Sequence, residues 1–299
     1  MSAAEHIADN VFRIATGLSN AYLVGEPGSW VLIDCGSEGY ADEIRAAAES
    51  RFGKGARPEA ILLTHGHFDH SGSAGTLARS WNVSIFAHQL EIPYLTGQSK
   101  YPPPDPTVGG FMSFMIRFFP NKAYDYNGLV KPLTANISSA LERWQIVETP
   151  GHSPGHVSFF RSSDSLLIAG DAFTTVNQDS ALDMLRRKRE VCRPPVYYTC
   201  DWESAHESVQ KLAALNPRTL AAGHGEPMSG SEATRQLHEL ALHFPIPEDG
   251  RYVRQKPVTN ETGVVKLPPP VPDLVPRIAA GVGIAAAAAI AVGLANRSR

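Results

Sequence analysis

Residues 64–70 read Thr64-His65-Gly66-His67-Phe68-Asp69-His70 and directly follow the apolar run AILL at 60–63. That run, placed just after Pro58, predicts a short buried strand. Three histidines and one aspartate within six positions offer the nitrogen and oxygen donors that bind zinc at ~2.0–2.2 Å. His65 and His67, two apart in an extended segment, point the same way. Asp69 and His70, beyond the turn, are placed to serve a second metal nearby. An isolated surface or core histidine does not come in such company.

Three further pieces follow the same plan. TPGHSPGH at 149–156 comes after a predicted strand at 144–148, and it carries His152 and His156. Asp171, in AGDA at 169–172, ends a predicted strand at 166–169, and His224, in AGHG at 222–225, follows one at 219–221. Each places a ligand-type side chain in a glycine-flanked loop just past a strand's C-terminal end. Glycine permits the turn and the close approach that a crowded site needs, and loops at strand ends are where a rigid scaffold presents chemistry.

Around these motifs, apolar runs alternate with helical patterns. Strands are predicted at 11–15, 21–24, 30–33, 60–63 and 83–87, with helices at 40–51 and 73–81; after 144–148 come strands at 157–161, 166–169 and 219–221 and a helix at 202–215. Two halves of similar make-up predict an α/β fold in which two packed sheets carry helices outside. Between the halves, residues 97–132 are irregular and hold YPPP at 101–104 and then Phe111, Met112, Phe114, Met115, Ile116, Phe118 and Phe119. So long a segment predicts either a helix completing the core or a lid over an apolar substrate.

The series HGHFDH, TPGHSPGH, GD and GHG, in this order over roughly residues 10–228, resembles the metallo-β-lactamase superfamily. The resemblance implies a four-layer αββα sandwich with a two-metal site at one edge. The first metal would take His65, His67 and His152, the second Asp69, His70 and His224, and Asp171 would bridge them. Asp34, in LIDCG at 32–36, matches the family's first acidic motif, which supports the metal loops from behind. The first histidine of TPGHSPGH is the family's ligand, so His156 is expected to support rather than bind. The implied cofactors are two divalent ions, zinc first, with iron or manganese also suited to these donors.

The implied reaction is hydrolysis of an ester, thioester, lactone or related bond of a small, apolar-leaning substrate by water activated between the metals. Asp69 is the candidate catalytic residue, binding metal and orienting the nucleophile. Lactonases of the family place a tyrosine three residues after the bridging aspartate, where this chain has Thr174. A glyoxalase-II-like thioesterase fits the metal motifs, although no glutathione-binding tail is identifiable in residues 248–299. The alternatives are iron-dependent persulfide or oxygen chemistry, whose enzymes commonly omit part of the second site, and a membrane-tethered binding protein with a vestigial site. The full ligand set speaks against both.

Composition narrows the partners. The 299 residues carry a formal net charge of −3, so no nucleic-acid partner is expected, since that requires a basic field. The basic run Arg186, Arg187, Lys188 and Arg189 reads as a solvated helix face or, alternatively, an anion contact. The three cysteines, Cys35, Cys192 and Cys200, form no Cys-x-x-Cys pair, which suits a reducing compartment. The N-terminus lacks the look of a secretory signal, so a cytoplasmic location is expected. The chain is expected to divide into a catalytic domain at 1–250, a proline-rich linker at 251–276, and a single C-terminal helix at 277–296. Residues 278–295, IAAGVGIAAAAAIAVGLA, are uncharged. As a helix they would span about 27 Å, near the ~30 Å of a hydrocarbon core. Membrane contact through this helix is therefore expected, with packing on a protein surface as the alternative.

Overall fold

Strand residues here point by turns to two different cores, and that alternation builds the layers. The computed structural model describes residues 4–119, 124–134 and 137–273. Its first sheet runs in chain order: β1 (Glu5–Ala8), β2 (Val11–Thr16), β3 (Ser19–Glu26), β4 (Ser29–Ile33), β5 (Ala60–Leu62), β6 (Ile85–Ala87) and β7 (Val130–Pro132). Strands β1 to β4 are antiparallel, and β5 to β7 join in parallel. The second sheet holds β8 (Trp144–Glu148), β9 (Val157–Arg161), β10 (Leu166–Gly170), β11 (Thr219–Ala222) and β12 (Met228–Ser229), in the order β12-β11-β10-β9-β8.

In β4, Val31 and Ile33 face a central core shared with Phe159, Leu166 and Ile168 of the second sheet. Trp30 and Leu32 face the other way, into a cluster with Ile44, Leu77 and Trp81. Those last residues lie on helices α1 (Ala41–Phe52) and α3 (Ala74–Trp81), between which sits the one-turn helix α2 (Phe68–Ser71). On the far side, Phe160, Leu167 and Leu220 pack against Val209, Leu212 and Leu237. The four layers are therefore helix, sheet, sheet, helix, as period-two alternation on two doubly covered sheets requires.

Five further helices complete the set among the described residues: α4 (Ile92–Leu95), α5 (Phe111–Met115), α6 (Ala181–Arg186), α7 (Trp202–Ala214) and α8 (Ser231–Leu242). Asp201 caps α7, its carboxylate accepting from the Ser204 N–H at 3.1 Å. Within residues 97–132, the described part forms α5, a short 3₁₀ turn (Ile116–Phe118) and β7 rather than one core helix.

The compact unit runs on to Pro268, so residues expected as linker after Gly250 are part of it. Tyr252 donates its hydroxyl to the Pro103 carbonyl at 2.7 Å, and β13 (Val258–Asn260) pairs with β14 (Gly263–Lys266) in a hairpin. No helix among the described residues is long and apolar enough to cross a membrane. The expected C-terminal helix at 277–296 lies outside the described residues.

Candidate metal centre

Five strand ends deliver the polar residues to one edge of the sandwich. Asp34 follows β4, His65 lies three residues past β5, and the His152 loop follows β8; Asp171 directly follows β10, and His224 lies two residues past β11. His67 keeps extended backbone (φ −62°, ψ 154°) and so shares its side with His65, while Asp69 and His70 ride the first turn of α2. Gly223 admits no Cβ, because one would strike Asp171 and His70.

The donor atoms form three overlapping groups, each with all its atoms within 4.8 Å of one another: His65, His67 and His152; His65, His70 and Asp171; Asp69, His70 and His224. His67 Nδ1 lies 3.0 Å from His152 Nε2. Asp171 Oδ2 is 3.1 Å from His224 Nε2 and 3.4 Å from His152 Nε2, and its Oδ1 is 3.5 Å from His70 Nε2. Asp69 Oδ2 is 3.5 Å from His224 Nε2. All seven residues are buried. Three of their buried atoms, His65 Nε2, His70 Nε2 and Asp171 Oδ1, have no hydrogen-bond partner among the described residues. Unpaired buried polar atoms are costly, and the three residues offer ligand atoms within 4.8 Å of one another, which fits a cation that would satisfy them.

Charge differs across the centre. Burial pushes the His67 imidazole down to about 3, and it holds His65 and His152 well below the ordinary value. These rings are therefore neutral, the form a metal needs. Burial also works against charge on His70 and His224, but there Asp171 and Asp69 outweigh it and raise both. Burial opposes the Asp171 charge too, yet His224 and His70 hold its carboxyl well below the usual range.

Supporting contacts fix the rings. Asp34, in left-handed backbone (φ 59°), accepts from the Thr64 N–H and hydroxyl, both at 2.8 Å, and contacts His70 Nδ1 at 2.9 Å. His224 Nδ1 lies 2.7 Å from the Leu18 carbonyl, so Nδ1 is the donor and Nε2 is left facing Asp171. His156 Nε2 accepts the Asp171 N–H at 2.9 Å and its Nδ1 lies 2.8 Å from Thr149 Oγ1, so both ring nitrogens are engaged. Sequence reasoning missed Glu91, Tyr101 and Tyr198. The Tyr198 ring stacks on His67 with centroids 4.3 Å apart. Glu91 reaches both histidine loops, and Tyr101 hydrogen-bonds it. None of the three carries a local signal, because no ligand motif contains it.

Beside the centre, a cavity of about 20 Å³ touches Asp69 and His224 and is walled by Phe68, Met112, Ile116, Phe119, Tyr197 and Tyr198. A second, of about 190 Å³, adjoins His224 and extends between Leu18 and Met184 towards Arg13 and Arg187. Of residues 111–119, Met112, Ile116 and Phe119 line the smaller cavity, while Phe111, Phe114 and Phe118 are exposed. Within the basic run, Lys188 pairs with Glu190 at 2.7 Å and Arg189 with Glu226 at 2.6 Å, while Arg187 lines the second cavity. The three cysteines are free.

The family model "Metallo-beta-lactamase superfamily" matches residues 14–224, the span that holds the entire centre. The chain belongs to the metallo-β-lactamase superfamily. It is similar to the probable metallo-hydrolase YflN of Bacillus subtilis (strain 168), with 41% identity over 239 residues covering 78% of this chain and 90% of the relative. It also resembles the probable metallo-hydrolase YybB of the same organism, with 28% identity over 75% of this chain and 89% of that one. Among solved structures it resembles TTHA1623 in a di-iron-bound form, with a TM-score of 0.50 and 24% identity over 79% of this chain and 98% of that one. That likeness is one of fold. As a member of this superfamily with metallo-hydrolase relatives, the chain is a metallo-hydrolase, and its histidine–aspartate cluster suits divalent metal.

Proposed function

We propose that this metallo-hydrolase works with two metal ions and cleaves an ester, thioester or lactone bond of a small substrate with an apolar portion. The observation that carries the reading is the union of two donor groups through Asp171, with unpartnered atoms of His65, His70 and Asp171 turned inward. His65, His67 and His152 would hold one ion and Asp69, His70 and His224 the other, with Asp171 shared. Nitrogen and carboxylate donors in these numbers suit zinc, and also iron or manganese. When bound, such a pair supplies Lewis acidity, acidifying water and polarising a carbonyl.

The chain's own residues do the rest. Asp69, 3.5 Å from His224 and open to the small cavity, is placed to accept the proton of the attacking water and orient its lone pair. Phe68, Met112, Ile116 and Phe119 give the small cavity an apolar wall beside Asp69 and His224, against which an apolar part of the substrate would rest. The wider cavity leaves room for a polar tail towards Arg13 and Arg187. Purified protein should carry two metal ions per chain and turn over members of an ester, thioester and lactone panel. One ion with activity only towards a persulfide and oxygen would replace this reading with the iron alternative.

The proposal also places the enzyme at the cytoplasmic face of a membrane. Its support is composition: residues 278–295 are uncharged, with Arg277 before them and Arg297 after. Full-length protein should resist alkaline carbonate extraction, whereas a chain ending at Leu267 should be soluble. Equal solubility of the two would remove this element.

A further inference from the structure

Glu91 is fully buried just before α4, outside every metal-ligand motif. Its Oε2 accepts the Gly66 N–H at 3.0 Å and the Tyr101 hydroxyl. Its Oε1 accepts the Ser153 hydroxyl at 2.9 Å and the Gly155 N–H at 2.7 Å. Gly66 lies between His65 and His67, and Ser153 and Gly155 follow His152. A single carboxylate therefore ties the two loops that carry the three-imidazole set, and it touches none of Asp69, His70 and His224. Tyr101 reinforces one side. Its hydroxyl also accepts the Gly66 N–H at 2.9 Å, and its ring packs against His67 at 4.6 Å and Tyr94 at 4.0 Å.

We infer that Glu91 is a positioning residue that sets the spacing of His65 and His67 against His152, and so tunes one metal position and not the other. The inference rests on the two-ion reading above. The chemistry of the four contacts demands a carboxylate. All four partners donate, and only an ionised carboxylate offers two oxygens that both accept. A glutamine would turn an N–H₂ towards one pair of donors and release one loop. An aspartate, one methylene shorter, would not span both loops. Burial pushes the Glu91 carboxyl above its ordinary value, and the four donors work against that rise by holding the charged form.

The test is stepwise chelator competition on the full-length protein loaded with Zn²⁺, together with the absorption spectrum after Co²⁺ loading. His152→Ala marks which ion and which spectral component belong to the three-imidazole position. In Glu91→Gln that same ion should bind roughly 10- to 100-fold more weakly, the range typical of partners that orient ligands. The other ion should be unchanged, and only the marked Co²⁺ component should shift. If Glu91→Gln does not fold, Tyr101→Phe removes one of the four donors and should weaken the same ion by a smaller factor. Equal weakening of both ions, or no change in either, overturns the inference. Wild-type protein binding a single ion would instead sink the two-ion reading; Glu91 is then judged on that ion alone, and an unmoved affinity overturns its role.

Discussion

The two donor sets of the candidate metal centre are built from different chemistry on different supports. His65, His67 and His152 are neutral imidazoles, two on a loop after β5 and one on a loop after β8, drawn together by Glu91. Asp69, His70 and His224 mix carboxylate with imidazole and rest on Asp34 and the Leu18 carbonyl. Burial governs the first set, depressing its rings, while carboxylates govern the second, raising His70 and His224. The contrast teaches that a buried centre can be readied for cations in two ways. One is to strip rings of their protons by desolvation. The other is to supply negative charge that a cation would neutralise.

Asp171 belongs to both halves, so its loss should be the largest blow. Asp171→Ala should cut kcat/KM on the order of a thousandfold or more, since metal stabilisation of developing charge is worth several kcal/mol. Bound metal should fall below that of either His152→Ala or His224→Ala. Metal analysis alongside kinetics decides the point: a variant that retains two ions and full turnover shows that Asp171 does not join the halves.

Asp34 sharpens the comparison from the other side, because it supports His70 and Thr64 but does not reach the three-imidazole set's second loop. Asp34→Ala should weaken the ion held by Asp69, His70 and His224 by roughly 10- to 100-fold, leaving the other less affected. Calorimetric titration of both ions would show this. Weakening confined to the three-imidazole ion would mean the two supports have been assigned to the wrong halves.

How much of this was legible in the sequence follows from where the information sits. His65, His67, Asp69 and His70 stand within six positions, and His152, Asp171 and His224 each sit beside a glycine loop at a strand end. Their types and spacing therefore announce the site without knowledge of tertiary contacts. The doubly covered strands were equally plain, as continuous apolar runs. Glu91 was not, because its partners lie 25 and 64 residues away and nothing local distinguishes a buried acceptor from a surface glutamate. The hairpin β13–β14 is half exposed and lacks a clean alternation, so it reads as linker. Helix α8 did carry a readable stripe, with Ala233, Leu237, Leu240 and Ala241 buried, yet the sequence reading placed no element there.

The last expected effect is on stability rather than on turnover or ion affinity and concerns His156, which contacts the Asp171 backbone N–H without contributing a donor to the centre. Burial lowers its pKa to about 4 from an ordinary 6.5. A histidine depressed in the folded state takes up its proton first in the unfolded chain. Its contribution to stability is thus complete above pH 6.5 and is lost as pH falls towards 4. Over that window the loss should amount to at most roughly 3 kcal/mol. Urea unfolding of chelator-treated protein isolates the effect from ion release. His156→Asn should lower stability at neutral pH by removing the acceptor for the Asp171 N–H, and it should flatten the decline between pH 6.5 and 4. An unchanged slope in the variant would assign the acid sensitivity to the neutral imidazoles of the first set, His67 among them, whose pKa burial lowers to about 3. The support from behind Asp171 would then be mechanical only, and the pH dependence of the molecule would belong to one half of its metal centre.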